Sequence, residues 1–340
     1  MNTTVVLVAH YGDAWLGPCL ASLAEASTQR LHLVLLDNFG NTTLDALDVG
    51  AFDTEILRTT RPLGFAEANN FALVRAARLE GAILFLNQDT LGRPGWVDEC
   101  LGCFAEEEGL GALSPVIRTY DWSAWDTDFL AFVAASGQQP QLAEDSASGG
   151  AWFEVKNAPA PALLVRRDVL ERTGPFDPVF GSYYEDADLC RRVRRLGYRV
   201  GFCRTATIAH YNGSTTTDRA KERRRARLIV RNQVIYQLRE SDGPRWPRAL
   251  RFVLRDFPRR LIRGLVRTSS SQPPTATLKA YGDLLRIVDR LVSRRRDEAA
   301  WTRALQEMGW PDRVPGLRQP ADEGIDPHRL HDAAVRHPLQ

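Results

Sequence analysis

The sequence predicts an α/β fold: a mixed, mainly parallel sheet flanked by helices, with a C-terminal helical extension. Three observations carry that prediction. Val5 to Ala9 and Leu31 to Leu36 are short, continuous apolar runs, the pattern of strands buried on both faces. Leu16, Leu20 and Leu23 between them mark a helix, and strand–helix–strand order implies parallel pairing. After Thr217 the chain turns arginine-rich and its apolar residues recur at helical spacing.

At 340 residues the chain can bury a substantial core in two domains, or in one domain with an extension. The net charge of +2 gives no global pull towards nucleic acid. Five cysteines without framework spacing argue against a disulfide-built secreted protein. Cys100 and Cys103 form a lone CxxC, which reads as free thiols on a helix rather than a zinc site. The N-terminal residues already form a strand, with no basic leader, and no run reaches transmembrane length. These features lead us to expect a reducing, cytoplasmic compartment.

The first strand ends in a turn at Tyr11-Gly12-Asp13, and the second ends on Asp37-Asn38. Ligands of such sheets gather at the carboxyl ends of strands, though Asp-Asn is equally a plain turn. Next, Arg61 to Asn70 leads into a helix through Leu73 and Ala77. Gly64 there permits close backbone approach, and Asn69 and Asn70 fall in the first turns. The strand Ala82 to Leu86 delivers Asn87-Gln88-Asp89-Thr90 to the same edge, and an acid there suits a hard divalent cation beside a phosphate. From about Glu106 to Asn157 the pattern blurs. Trp122, Trp125, Phe129, Phe132 and Trp152 surround a Gly/Ser/Gln-rich loop from Ser136 to Gly150, and suit either sugar stacking or core packing. Ala162 to Arg166 is a further buried strand, Asp168 to Thr173 a helix, and Tyr198 to Phe202 a last strand, followed by Ile208-Ala209-His210.

Between those elements lies the most informative stretch, Gly174 to Arg192. It sets Asp177, Glu185, Asp186 and Asp188 among aromatic and apolar residues, with Tyr183 and Tyr184 just before Glu185-Asp186. Leu189, Val193 and Leu196 then recur at helical spacing up to Gly197. Glu185 and Asp186 therefore open a helix, where backbone N–H groups favour negative charge. They either cap that helix or provide a catalytic carboxylate beside an anion site.

In the C-terminal third, Arg223 to Leu238 reads as a helix with a basic face. Trp246 to Arg267 places Leu250, Val253, Leu254, Phe257, Leu261 and Leu265 on one side and Arg248, Arg251, Arg255, Arg259 and Arg263 largely elsewhere. Pro258 should kink it. Such a helix either lies on an anionic membrane or packs on its own domain with its arginines in water. Leu278 to Val292 is one more amphipathic helix, and the tail after Pro311 reads as poorly ordered. The expected division is 1–217 catalytic, with halves 1–105 and 106–217, then a helical extension 218–310 and a tail 311–340.

Four blocks together resemble the inverting family 2 glycosyltransferases of the GT-A (Rossmann-like) fold, particularly their rhamnosyltransferase-like branch. They are Leu35-Leu36-Asp37-Asn38; Leu63 to Ala66 with Asn69-Asn70; Leu84 to Thr90; and Gly174 to Asp177 with Glu185 to Arg192. Their order and spacing span roughly the first 240 residues. The resemblance implies a nucleotide-diphosphate-sugar donor and a single inverting displacement onto a glycan or lipid-linked acceptor. It implies donor contacts at Ala9, His10, Tyr11, Asp37, Asn38, Gly64, Asn69, Asn87 and Gln88, and Mg²⁺ or Mn²⁺ held by Asp89 and His210. Asp186, with Glu185 beside it, would be the general base, and Trp152, Tyr184 and Asp188 the acceptor contacts. Asp188 alternatively pairs with a backbone group, Arg191 or Arg192. Two departures stand out: Asn87 replaces the first acid of the family's DxD motif, and Ala158-Pro159-Ala160-Pro161-Ala162 replaces a glycine-rich turn.

Two other functions compete. A nucleotidyltransferase would carry a Gly-rich phosphate loop with Lys or Arg after the first strand, and Ala9 to Asp13 has neither cation. A non-catalytic sugar-nucleotide-binding protein would not need both Asp89 and Glu185-Asp186.

Overall fold

The computed structural model describes residues 2–11, 13–40, 44–138, 150–211, 219–240, 243–266 and 274–310. The tail after Pro311 and most of the Gly/Ser/Gln-rich loop lie outside the described residues.

Among the described residues the strands are β1 (Thr3–Ala9), β2 (His32–Asp37), β3 (Asp53–Arg58), β4 (Ala82–Asn87), β5 (Thr90–Gly92), β6 (Leu110–Thr119), β7 (Trp152–Glu154), β8 (Ala162–Arg166) and β9 (Arg199–His210). They form one sheet in the order β3-β2-β1-β4-β8-β6-β9-β5, with β7 alongside β9. The first four positions are parallel, and β8 enters antiparallel between β4 and β6. The apolar runs of β1, β2 and β4 are buried except for the partly buried Val8, as parallel strands covered on both faces must be. Their helices are α1 (Asp13–Ala24), α2 (Phe65–Arg75) and α3 (Trp96–Glu106).

The blurred region holds the long strand β6 and helix α4 (Thr127–Ala135). Most of its aromatics are packing groups: Phe129 is buried against Phe202, and Trp125 lies on Phe129 and under the Arg118 guanidinium. The last strand is also longer than Tyr198 to Phe202. A register shift near Pro115 carries it past a bulge to His210, so that it pairs with both halves of β6. All five cysteines are free and buried, and Cys103 on α3 sits 3.6 Å from Cys203 on β9.

Beyond α5 (Arg167–Thr173) and α6 (Glu185–Arg195) come α7 (Arg219–Glu240), α8 (Trp246–Arg251), α9 (Phe257–Val266), α10 (Pro274–Leu285), α11 (Val288–Val292) and α12 (Arg294–Met308). Two sequence expectations are corrected here, and one helix is added. The Trp246 segment is not simply kinked at Pro258: a π-helical turn over Phe252–Asp256 precedes the proline. Proline removes a helical N–H and crowds the carbonyl four residues back, and a wider turn relieves the crowding. Leu278 to Val292 is two helices, and α12 carried no recognised signal.

The extension packs on the segment that leads into α6. Phe180 and Ala187 share a core with Val230, Val234, Ile235 and Leu238 of α7, and with Phe252, Tyr281, Leu284 and Leu291. On α12, Trp301 and Leu305 lie where a Cβ on Gly174 would stand, and Gly174 has φ of 71°. Glycine is required there on both counts. Among the described residues no helix is long and apolar enough to cross a membrane.

Candidate active site

The carboxyl ends of β1, β2, β4, β6 and β9 share one edge, which also receives the start of antiparallel β8. Asparagine and glutamine side chains tie the loops of this edge together. Asn38 donates to the Leu63 carbonyl and accepts the Leu63 N–H, at 3.0 and 2.8 Å. Gln88 makes the same two-point clasp on His10, both bonds at 2.9 Å. Asn70 makes it on Phe176, at 2.7 and 3.1 Å.

Two of the expected donor contacts are engaged within the protein. Asn38 and Asn69 are buried, and Asn69 donates to the Phe65 carbonyl of its own helix. Both side chains hold the loops of this edge from within. Gly64 caps α2 and approaches the Gly181 carbonyl, which accepts the Ala66 N–H at 2.9 Å. Ala9 and Asp37 end their strands, and Asp37 is half-buried with Arg58 3.9 Å away. His10 bonds the Asn38 carbonyl at 2.9 Å. Tyr11 is exposed, packs edge-on against His10, and occupies the space that the missing side chain of Gly40 leaves.

Asp89 lies in the short turn between β4 and β5. Because Thr90 pairs with His210, that turn brings the end of β4 against the end of β9. The Asp89 carbonyl accepts from Tyr211 N–H at 3.0 Å, and its carboxylate stands 3.4 Å from His210 Nε2. The other imidazole nitrogen faces the Asp126 carboxylate at 4.0 Å, and Asp126 also caps α4. Among the described residues no three metal-ligating side chains gather. A carboxylate and an imidazole nevertheless fit a divalent ion whose remaining ligands are phosphate oxygens and water. Asn87 ends β4 beside them with its N–H on the Pro161 carbonyl at 2.8 Å.

Pro161 leads to the acids. Ala160, one residue earlier, donates its N–H to Asp186 at 3.2 Å, so the Ala-Pro turn that replaced the glycine-rich turn joins the end of β4 to the start of α6. Tyr183 and Tyr184, both at φ of 71°, precede α6 in left-handed backbone, which costs about 1–3 kcal/mol per residue. The acids of the first turn and the arginines of the last match the helix dipole.

The neighbouring acids differ sharply. Asp186 is half-buried and accepts from the Ala187 and Ala160 amides; burial outweighs them and pushes its pKa up to about 6. Glu185 is 5% exposed, and its Oε2 has no hydrogen-bond partner. Burial, with the Asp186 charge adding to it, drives the Glu185 carboxyl well above the usual range. Of the pair, Asp186 is therefore the acid that ionises first.

Two further acids are structural. Burial opposes ionisation of Asp188, but Arg191, Arg239 and Arg192 overcome it and hold its pKa well below the usual range. At 1% exposure it has no open face for an acceptor, which corrects that expectation in favour of the arginine pairing. Asp177 is likewise taken by Arg239 at 2.8 Å. Trp152 is also not brought to the site. It pairs with Cys203, seven residues before His210, roughly 20 Å along the strand, and its ring covers Gly201 beside Arg199. Tyr184 is half-buried at the start of α6, its ring 5.8 Å from that of Tyr236.

Sequence reasoning missed Asp126 and an aromatic trio beside Asp89. Trp15 lies 4.0 Å from Tyr211 and 5.0 Å from Tyr120, ring centre to ring centre. Tyr120 and Tyr211 each directly follow a strand that ends on this edge, which was the available signal.

A family model for "Glycosyltransferase like family 2" matches residues 2–227. The N-acetylglucosaminyl-diphospho-decaprenol L-rhamnosyltransferase of Mycobacterium tuberculosis is 25% identical over 243 residues, covering 62% of this chain and 76% of that protein. Among solved structures, the mannosyltransferase PcManGT from Pyrobaculum calidifontis, in complex with GDP-Man and Mn²⁺, superposes with a TM-score of 0.55 at 18% identity, over 92% of this chain and 88% of its own. GalNAc-T7 with UDP, GalNAc and Mn²⁺ gives 0.51 at 17% identity, over 69% of this chain and 49% of its own. The fold is GT-A, and the family match spans about two thirds of the sequence: the chain belongs to glycosyltransferase-like family 2 and is a glycosyltransferase.

Proposed function

We propose that the enzyme moves a sugar, with inversion, from a nucleoside-diphosphate-sugar donor to a hydroxyl of a lipid-linked glycan, with Asp186 as the general base. The observation that carries this reading is the pairing of Asp186 and Glu185. One is half-exposed, held by two amides and pushed up to about 6; the other is buried, with one carboxyl oxygen lacking a partner and its pKa raised further. A base poised near the working pH takes a proton most effectively. The Ala160-Pro161 turn links it to the edge that carries Asp89 and His210.

Asp89 and His210 are the residues that would hold Mg²⁺ or Mn²⁺, and a bound ion supplies charge neutralisation to a departing diphosphate. The exposed Tyr11 and the half-buried Asp37 lie where a nucleoside would sit. Asp186 draws the proton from the acceptor hydroxyl, and Tyr184 and the Trp15–Tyr120–Tyr211 trio offer aromatic faces to sugar rings. The lipid-linked acceptor rests on the rhamnosyltransferase relative, whose name places decaprenol on its substrate. It also rests on α8 and α9. Trp246, Leu250, Val253, Leu254 and Ile262 are exposed there among exposed Arg248, Arg251, Arg255 and Arg259, a composition that suits an anionic membrane surface.

The test is transfer from a panel of nucleotide sugars to polyprenyl-diphosphate-linked acceptors, with product stereochemistry read by NMR. An inverted anomeric product supports the reading. A retained configuration, or nucleotidyl transfer, overturns it.

A further inference from the structure

Helix α7 presents Asn232, Tyr236 and Arg239 at i, i+4 and i+7, on one face. The family match ends at residue 227, so all three lie beyond it. Asn232 is completely buried. Its Nδ2 lies 2.8, 2.8 and 2.7 Å from the carbonyls of Phe180, Ser182 and Tyr183. Its Oδ1 accepts from Arg231, whose guanidinium also donates to the Val179 carbonyl, both at 2.7 Å. The turn gripped in this way runs into the left-handed Tyr183 and Tyr184, and so into Glu185-Asp186.

The rest of the stripe holds the other sides of the same acids. The Tyr236 hydroxyl bonds the Asn157 amide at 3.0 Å. In the orientation that satisfies both its amide atoms, Asn157 also donates to the Ala187 carbonyl at 3.3 Å. Asn157 stands three residues before Ala160, whose N–H meets Asp186. Arg239 binds Asp177 and Asp188, one on each side of the acid pair in sequence.

We infer that Asn232 is a positioning residue: by gripping the carbonyls of residues 180, 182 and 183 it sets the direction in which Asp186 points. Two strained tyrosines in succession persist only where their surroundings over-determine them. A buried amide donor shared by three carbonyls does so here. Aspartate at 232 would have no hydrogen to donate and would turn a negative charge on three carbonyl dipoles. The inference rests on Asp186 being the base.

The experiment compares Asn232→Ala and Asn232→Asp with the wild type and with Asp186→Asn, singly and combined. It measures kcat, donor KM, melting temperature, and hydrogen exchange over residues 177–188. A small misalignment of a reacting group costs up to about a hundredfold, so we expect kcat to fall about 10- to 100-fold with donor KM within about twofold. Exchange at 180–184 should quicken, and Asn232→Ala should add almost nothing to Asp186→Asn. An additive double variant overturns the inference, as does unchanged kcat with unchanged exchange. A parallel loss of kcat, donor affinity and melting temperature does so too, because that marks a general structural role. If Asp186→Asn alone transfers normally, the general-base reading fails instead, and exchange at 180–184 still reports on the grip.

Discussion

Replacing Asp186 by Asn keeps the side chain's size and removes its basicity. A positioned carboxylate base contributes about 10²–10⁴-fold, or about 2.7–5.5 kcal/mol of barrier, and transfer should fall by that range while donor affinity holds. The pH dependence gives a sharper number. With a pKa of about 6, roughly nine-tenths of Asp186 is ionised at pH 7 and about one-tenth at pH 5. Wild-type transfer should therefore drop about tenfold over that interval, along a limb that Asp186→Asn lacks. Folding stability should move oppositely. Because burial raises the pKa of Asp186 in the folded state, its ionisation weakens the fold as pH rises from about 4 to about 6. Glu185→Gln should cost far less than Asp186→Asn, since it leaves the Asp186 carboxylate in place. The assays are single-turnover transfer from pH 5 to 8 and calorimetric donor binding. Near-normal transfer by Asp186→Asn with Glu185→Gln inactive would assign the base to Glu185. Normal turnover by both would leave α6 with two helix-capping acids and no base.

Three further outcomes are expected. Asp89→Ala should abolish turnover and weaken donor binding, and His210→Ala should cost less; full wild-type activity in excess chelator refutes a metal role for both. Arg239→Met leaves the buried Asp177, Asp188 and Asp297 without their shared cation, and should lower stability by about 3–5 kcal/mol in denaturant titration, whereas a loss below about 1 kcal/mol would show that the network relaxes around the gap. Co-sedimentation with phosphatidylglycerol liposomes should fall as salt rises and fall further in an Arg251, Arg255 and Arg259 triple alanine variant; absence of pelleting at low salt removes the membrane reading of α8 and α9.

The sequence by itself determined the parallel half of the sheet, because strands buried on both faces must be continuously apolar and the chain writes them so. It also pointed to one edge for Asp37, Asn87, Asp89 and Glu185-Asp186, because each ends, follows or begins a recognisable element. It left the extent of β9, the existence of β6 and the break before Pro258 unread. The first two depend on a bulged partner, and the third on where a proline's displaced carbonyl finds room. The tertiary structure alone decided how the acids divide their roles. Asp186 and Asp188 stand two residues apart in one helix turn. One meets two amides at a half-open edge and the other is closed in by Arg191, Arg192 and Arg239, so the same carboxyl group is pushed up in one case and down in the other. Arg239 comes from α7, roughly fifty residues further along the chain. Local periodicity holds no record of a neighbour that only the packing of the extension supplies.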